Sequence, residues 1–130
     1  MTKLLKKIRE ESGQAMVEMA ICLPILLLLV LGILDFGWIF YHQINVENAS
    51  REGARYAIVN QNKAGLAQEV AARAQSLCGG AGDTTVTFRV TGSDAEVTVT
   101  QWVHVLTPLA GIFAPDQVVE LTATTVMKQD

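Results

Sequence analysis

With two cysteines, two histidines, three prolines and 6% aromatic residues among 130, the chain is poor in the residue types that build most catalytic and metal centres. Cys22 lies in an apolar run and Cys78 beside Gly79-Gly80. A disulfide needs Cα atoms within about 7 Å, which a membrane-buried and a solvent-side cysteine do not reach, so no disulfide framework or metal site is expected. Cys22 reads as a small apolar packing residue and Cys78 as a buried one, with pairing between chains as its alternative. His42 and His104 are far apart and fall on different expected elements. Ser12, Ser50, Ser76 and Ser93 lack the strand-turn-helix setting of a nucleophile elbow. Asp83, Asp94 and Glu96 flank a turn without the ligand spacing of a calcium loop. Neither an enzyme nor a cofactor is expected. Basic residues are also scarce, 10 against 13 acidic for a net charge of −3, and no cluster is suited to neutralising nucleic-acid phosphates.

The chain does have a long apolar stretch. Half of its residues are hydrophobic, with the excess before residue 41, and residues 19–34 carry no charge. Residues 19–41 would make about 35 Å of helix at ~1.5 Å per residue, enough to cross a ~30 Å hydrocarbon layer with some tilt. Asp35 is expected at the far interface beside Trp38 and Tyr41, which suit an aromatic belt; an intramembrane proton or ion site is the sharper alternative. Asp35-Phe36-Gly37-Trp38 gives a signal peptidase no small-residue site, and the residues before Cys22 do not suit a lipoprotein site. The helix should therefore stay attached. Pro24 should kink or loosen its first half.

Lys3, Lys6, Lys7 and Arg9 precede the run, whereas only Arg51 and Arg55 occur in the twenty residues after Tyr41. The positive-inside rule then places the N-terminus in the cytoplasm and the C-terminal domain outside. Between the basic leader and the apolar run stands Gly13-Gln14-Ala15-Met16-Val17-Glu18. This arrangement resembles the type IV prepilin processing site. The resemblance implies cleavage between Gly13 and Gln14 by a prepilin peptidase, which would remove four basic and two acidic side chains and take the net charge from −3 to −5. A carboxylate inside a membrane costs about 2.5–3.5 kcal/mol at a helix centre and less near an interface, so Glu18 asks for a partner. The α-amino group freed at Gln14 would be cationic below roughly pH 8, and Gln14 and Glu18 are i and i+4 on a helix. A Glu that simply reaches the headgroups is the plainer alternative.

Residues 43–59 continue with helical periodicity. Ala49, Gly53 and Ala57 form a stripe of small residues four apart, suited to close approach by another helix. Glu47 and Arg51 are an i, i+4 pair, and Glu52 and Arg55 are three apart, which reads first as a solvated charged face. Together with Gly13-Gln14-Ala15-Met16-Val17-Glu18, the segments Leu23-Pro24, Gly32-Ile33-Leu34-Asp35-Phe36-Gly37 and Ala49-Ser50-Arg51-Glu52-Gly53-Ala54-Arg55-Tyr56-Ala57 resemble the TadE-like family. Its members are pilin-like or pseudopilin components of the bacterial Tad/Flp pilus system, and Arg51, Glu52 and Arg55 fall in the most specific part of the resemblance. A major Flp pilin usually ends soon after its helix; this chain continues, which favours a minor component. The partners so implied are other pilin-like subunits, the inner-membrane assembly platform, the prepilin peptidase and the lipid bilayer.

The remainder reads as an α+β domain. A second helix is expected over residues 64–77, with Leu66, Val70, Ala74 and Leu77 on one face and Gly79-Gly80 as its end. Strands are expected over 84–91, 96–106 and 118–127, each alternating in character, with a turn at Gly92-Ser93-Asp94. A three-stranded antiparallel sheet covered by that helix and by the extension of the first is the economical solution, since a bare hairpin is marginal. The expected organisation is a leader over 1–13, a transmembrane helix over 14–41 and an extracytoplasmic domain over 42–130. Leu106, Leu109, Ile112 and Phe113 either expose a docking patch or fold over their own sheet. Two functions remain: a processed pilin-like assembly subunit, or an unprocessed membrane-anchored binding module of the cell envelope.

Overall fold

The computed structural model describes residues 2–80, 82–108, 111 and 115–128, with side chains described from Gly13 onward. Helix α1 runs over Thr2–Val59 and continues through Pro24. Helix α2 (Leu66–Cys78) and strands β1 (Thr84–Thr91), β2 (Asp94–His104) and β3 (Val118–Lys128) follow. The fold is α+β, as the sequence pattern anticipates. The chain divides into two compact units, Met1–Leu34 and Asp35–Asp130.

In the first unit, the described part of α1 is a helix with apolar side chains all round. Met19, Ile21, Leu26, Leu29 and Ile33 are each more than half exposed. Leucine and isoleucine displayed on every side are what a helix surrounded by lipid presents. The segment is long and apolar enough to cross a membrane, compatible with a single-pass anchor. Cys22 is free and exposed on it.

The second unit is an antiparallel sheet in the order β1-β2-β3, with helical segments on one face. Thr91 pairs with Asp94, leaving Gly92-Ser93 as a two-residue hairpin loop. Gly92 has φ 65°, the left-handed conformation that such a turn needs at its first position and that glycine adopts without strain. Because the turn is this tight, β2 starts at Asp94 and ends at His104, two residues earlier at each end than its alternation suggests. Val97, Val99, Gln101 and Val103 of β2 are buried toward the helices. On the opposite face, Thr98 and Thr100 hydrogen-bond across to Thr124 (2.9 Å) and Thr122 (3.2 Å) of β3.

Helix α2 buries Leu66, Val70, Ala74 and Cys78, a stripe four residues apart that lies on the sheet. Leu77, expected on this face, is exposed, and Cys78 takes the buried place. Val46, Ala49, Ala54 and Ala57 of α1 complete the core with no exposed surface. At least 14 apolar residues are buried in this unit, enough for a continuous core.

Candidate functional site

The N-terminal junction sits on α1. Gly13, Gln14 and Glu18 are all helical and exposed. A Cβ added at Gly13 would meet nothing within 4 Å. Glycine in a helix interior is less favourable than alanine by about 0.8–1.0 kcal/mol, and no packing within the described residues requires it here. Glu18 has no hydrogen-bond or ion-pair partner among the described residues. The side chains of Lys3, Lys6, Lys7 and Arg9 lie outside the described residues.

Where α1 enters the second unit, polar residues are held in ways that periodicity does not reveal. The Asp35 carboxylate is buried and accepts hydrogen bonds from the Thr107 amide (3.0 Å) and hydroxyl. The Trp38 indole N–H donates to the His104 carbonyl at 3.1 Å. Residue type alone suggests a lipid interface for both; the structure adds that they fasten α1 to the end of β2 and to Thr107 just beyond it. The compact unit begins at Asp35. Leu106 is exposed, whereas Leu109, Ile112 and Phe113 of the candidate docking loop lie outside the described residues.

His42 is buried with 2% of its surface exposed, and neither ring nitrogen has a partner among the described residues. The rings of Trp38 and Tyr41 meet it edge-on at 4.6 and 5.2 Å between centroids. Burial lowers its pKa from the usual value, and the nearby Gln101 amide offsets this in part. Gln101 is wholly buried, and its Nε2 donates to the carbonyls of Cys78 (3.1 Å) and Gly79 (3.4 Å). These belong to the end of α2, whose last carbonyls have no partner within the helix. A glutamine on an otherwise apolar strand face therefore caps a helix.

The small stripe on α1 has a different partner from the one its spacing implies. Ala49 and Ala57 have no exposed surface. A Cβ built on Gly53 would stand 3.1 Å from Val97 Cγ1, 3.5 Å from Val70 Cγ1 and 3.8 Å from Ala74 Cβ. The chain's own α2 and β2 fill the stripe, which corrects the reading of Ala49, Gly53 and Ala57 as a surface for a neighbouring subunit's helix. Close packing demands small residues wherever two backbones approach, within a chain or between chains.

Around the stripe lie the charged residues of α1. Arg51 is 3.8 Å from Glu47 with both side chains well exposed, the expected i, i+4 pair. Glu52 does not turn to Arg55 but pairs with Arg73 of α2 at 3.2 Å, and the Arg73 guanidinium also lies over the Tyr56 ring, 5.1 Å from its centroid. The Tyr56 hydroxyl donates to the Glu69 carboxylate, which Lys63 meets at 2.7 Å. The hydrogen bond from Lys63, then that from Tyr56, lowers the Glu69 pKa, and the hydrogen bonds that Lys63 donates to Glu69 and then to the Tyr56 hydroxyl raise its own. The buried Cys78 thiol is pushed up by desolvation, so it stays protonated and inert at neutral pH. Among the described residues no group of three or more histidine, cysteine or acidic side chains could hold a metal ion.

A family model described as TadE-like protein matches residues 13–55. The matched segment runs from the Gly13 junction along α1 to Arg55 and stops before α2 and the sheet. No curated protein and no solved structure matches the chain.

Proposed function

From the TadE-like segment at residues 13–55, we propose that this protein is a minor pilin-like subunit of a Tad/Flp pilus. It sits in the bacterial inner membrane with its N-terminus in the cytoplasm and is cut after Gly13 by a prepilin peptidase. One observation carries the reading. Gly13 is an exposed helical glycine with open space where a Cβ would be, just ahead of a lone Glu18 and an uncharged run. Packing among the described residues gives no reason for glycine there, whereas a peptidase that needs an unhindered scissile residue does. Glu18 then has a role that begins only on cleavage, as the counter-charge to the new α-amino group of Gln14 or of a neighbouring subunit's Gln14.

Intact mass of the chain co-expressed with a matching prepilin peptidase tests this. The expected product starts at Gln14, and Gly13→Val should leave the precursor whole because a β-branched side chain crowds the scissile bond. Glu18→Ala should be cut normally yet fail to assemble into pili. An intact chain beginning at Met1 in those cells would refute processing and favour an unprocessed membrane-anchored module.

A further inference from the structure

We propose that the open groove between the C-terminal part of α1 and α2 is a docking site for an acidic segment of a partner protein. The segment would place a carboxylate on Arg55 and an apolar side chain on Leu77 and Met127. The groove has a volume of about 650 Å³ and is lined by Arg51, Arg55 and Arg73 together with Leu77 and Met127. Such a site goes beyond assembly as such, since it fixes the chemistry of the partner and the residues that meet it.

Charge favours an acidic occupant. Residues 35–128 hold nine acidic and six basic side chains, so this region is net negative. Yet three of the six cations line one groove, with Glu52 as the only acid among its lining residues. Their neighbours leave that charge unevenly used. Arg73 is held by Glu52 and by the Tyr56 ring, and Arg51 is only loosely paired with Glu47. Arg55 is exposed and has no ion pair or hydrogen bond among the described residues. A guanidinium with its fork free suits two-pronged binding of a carboxylate. Leu77 is 43% exposed beside it, on a helix whose buried stripe runs through its neighbour Cys78, so its side chain is left to solvent.

A peptide fits better than lipid. Arg51 and Arg55 stand roughly 15 and 21 Å along α1 from Tyr41, the expected end of the transmembrane helix, at ~1.5 Å per residue, beyond a headgroup layer of about 5–8 Å. Association driven by exposed charge weakens as salt screens it, over a length of about 10 Å at 0.1 M.

The test uses the full chain in neutral phosphatidylcholine nanodiscs and two fluorescent peptides, one alternating glutamate with leucine and one alternating lysine with leucine. The glutamate peptide should bind saturably and weaken as salt is raised, and the lysine peptide should not bind. Arg55→Glu should weaken binding at least tenfold, whereas Arg89→Glu, the same charge change on β1 away from the groove, should leave it unaltered. An unchanged protease-resistance pattern in both variants shows that the fold is kept. Equal binding by both peptides, an equal loss in both variants, or no binding to wild type would overturn the proposal. So would Arg55-dependent capture of phosphatidylglycerol vesicles by a protein that ignores the peptide, which would assign the groove to lipid. Processing at Gly13 is read separately by mass, so either proposal can fail alone.

Discussion

A neutral imidazole is the form that suits position 42. Its ring is enclosed by Trp38 and Tyr41 with both nitrogens unpartnered among the described residues, and burial depresses its pKa. The unfolded chain takes up a proton near pH 6.5, before the folded one does. The stabilising contribution is therefore fully present above about pH 6.5 and is lost as pH falls through the lower folded value, at up to about 1.4 kcal/mol per pH unit between the two. Thermal or denaturant unfolding of the full chain in detergent at pH 7.5 and pH 5.5 should show this loss, and His42→Phe should flatten much of it. An equal decline in that variant would place the titration elsewhere. Little in the chain's linear pattern warns of this residue. Next to Trp38 and Tyr41 it looks like part of an interfacial belt, and only tertiary contact shows that the indole is aimed at the His104 carbonyl. Gln101 is legible as a member of the inward face of its strand but not as the cap of α2, because its acceptors lie 22 and 23 residues away.

At the scale of elements, alternation identifies the three described strands and spacing identifies α2 and the later part of α1, since a half-buried sheet and a helix with one apolar stripe impose periods of 2 and 3.6 directly on the residues. The earlier part of α1 is legible instead as an uncharged apolar run. What periodicity does not carry is the identity of the opposing surface. Ala49, Gly53 and Ala57 need a close neighbour, and the neighbour is α2 with β2 of the same chain. A large side chain at Gly53 therefore strikes the chain's own core first. Its Cβ would stand only 3.1 Å from Val97 Cγ1, with Val70 close behind. Gly53→Leu thus has to displace two buried valines, and overpacking of a filled core costs about 1–3 kcal/mol. Protease resistance of the Asp35–Asp130 unit should fall in Gly53→Leu and fall less in Gly53→Ala, with membrane insertion unchanged. A fully resistant Gly53→Leu chain that only failed to assemble would restore the stripe as an intermolecular surface.

Across the whole molecule, one apolar helix and one α+β unit follow from composition and patterning, because the hydrophobic excess lies before residue 41 and alternating strands lie after it. The boundary between them is less legible. Asp35 and Trp38 are the residue types expected at a membrane edge, yet Thr107 and the His104 carbonyl engage them within the compact unit. Orientation rests on a different property of the whole chain, the concentration of Lys3, Lys6, Lys7 and Arg9 ahead of the run, with Arg51 and Arg55 the only basic residues soon after it. Short flanking segments rich in lysine and arginine are retained on the cytoplasmic side, so the Asp35–Asp130 unit should be exported. Alkaline phosphatase fused after residue 130 should be active, and β-galactosidase at the same point should be silent. Replacing the four leader cations with glutamate should weaken that bias and lower phosphatase activity without altering the apolar run. High β-galactosidase activity from the unaltered chain would reverse the topology and place Gly13 on the wrong side for a peptidase that cuts in the cytoplasm. The same result would leave the Arg55 groove facing the cytoplasm, where its acidic partner would then have to be sought.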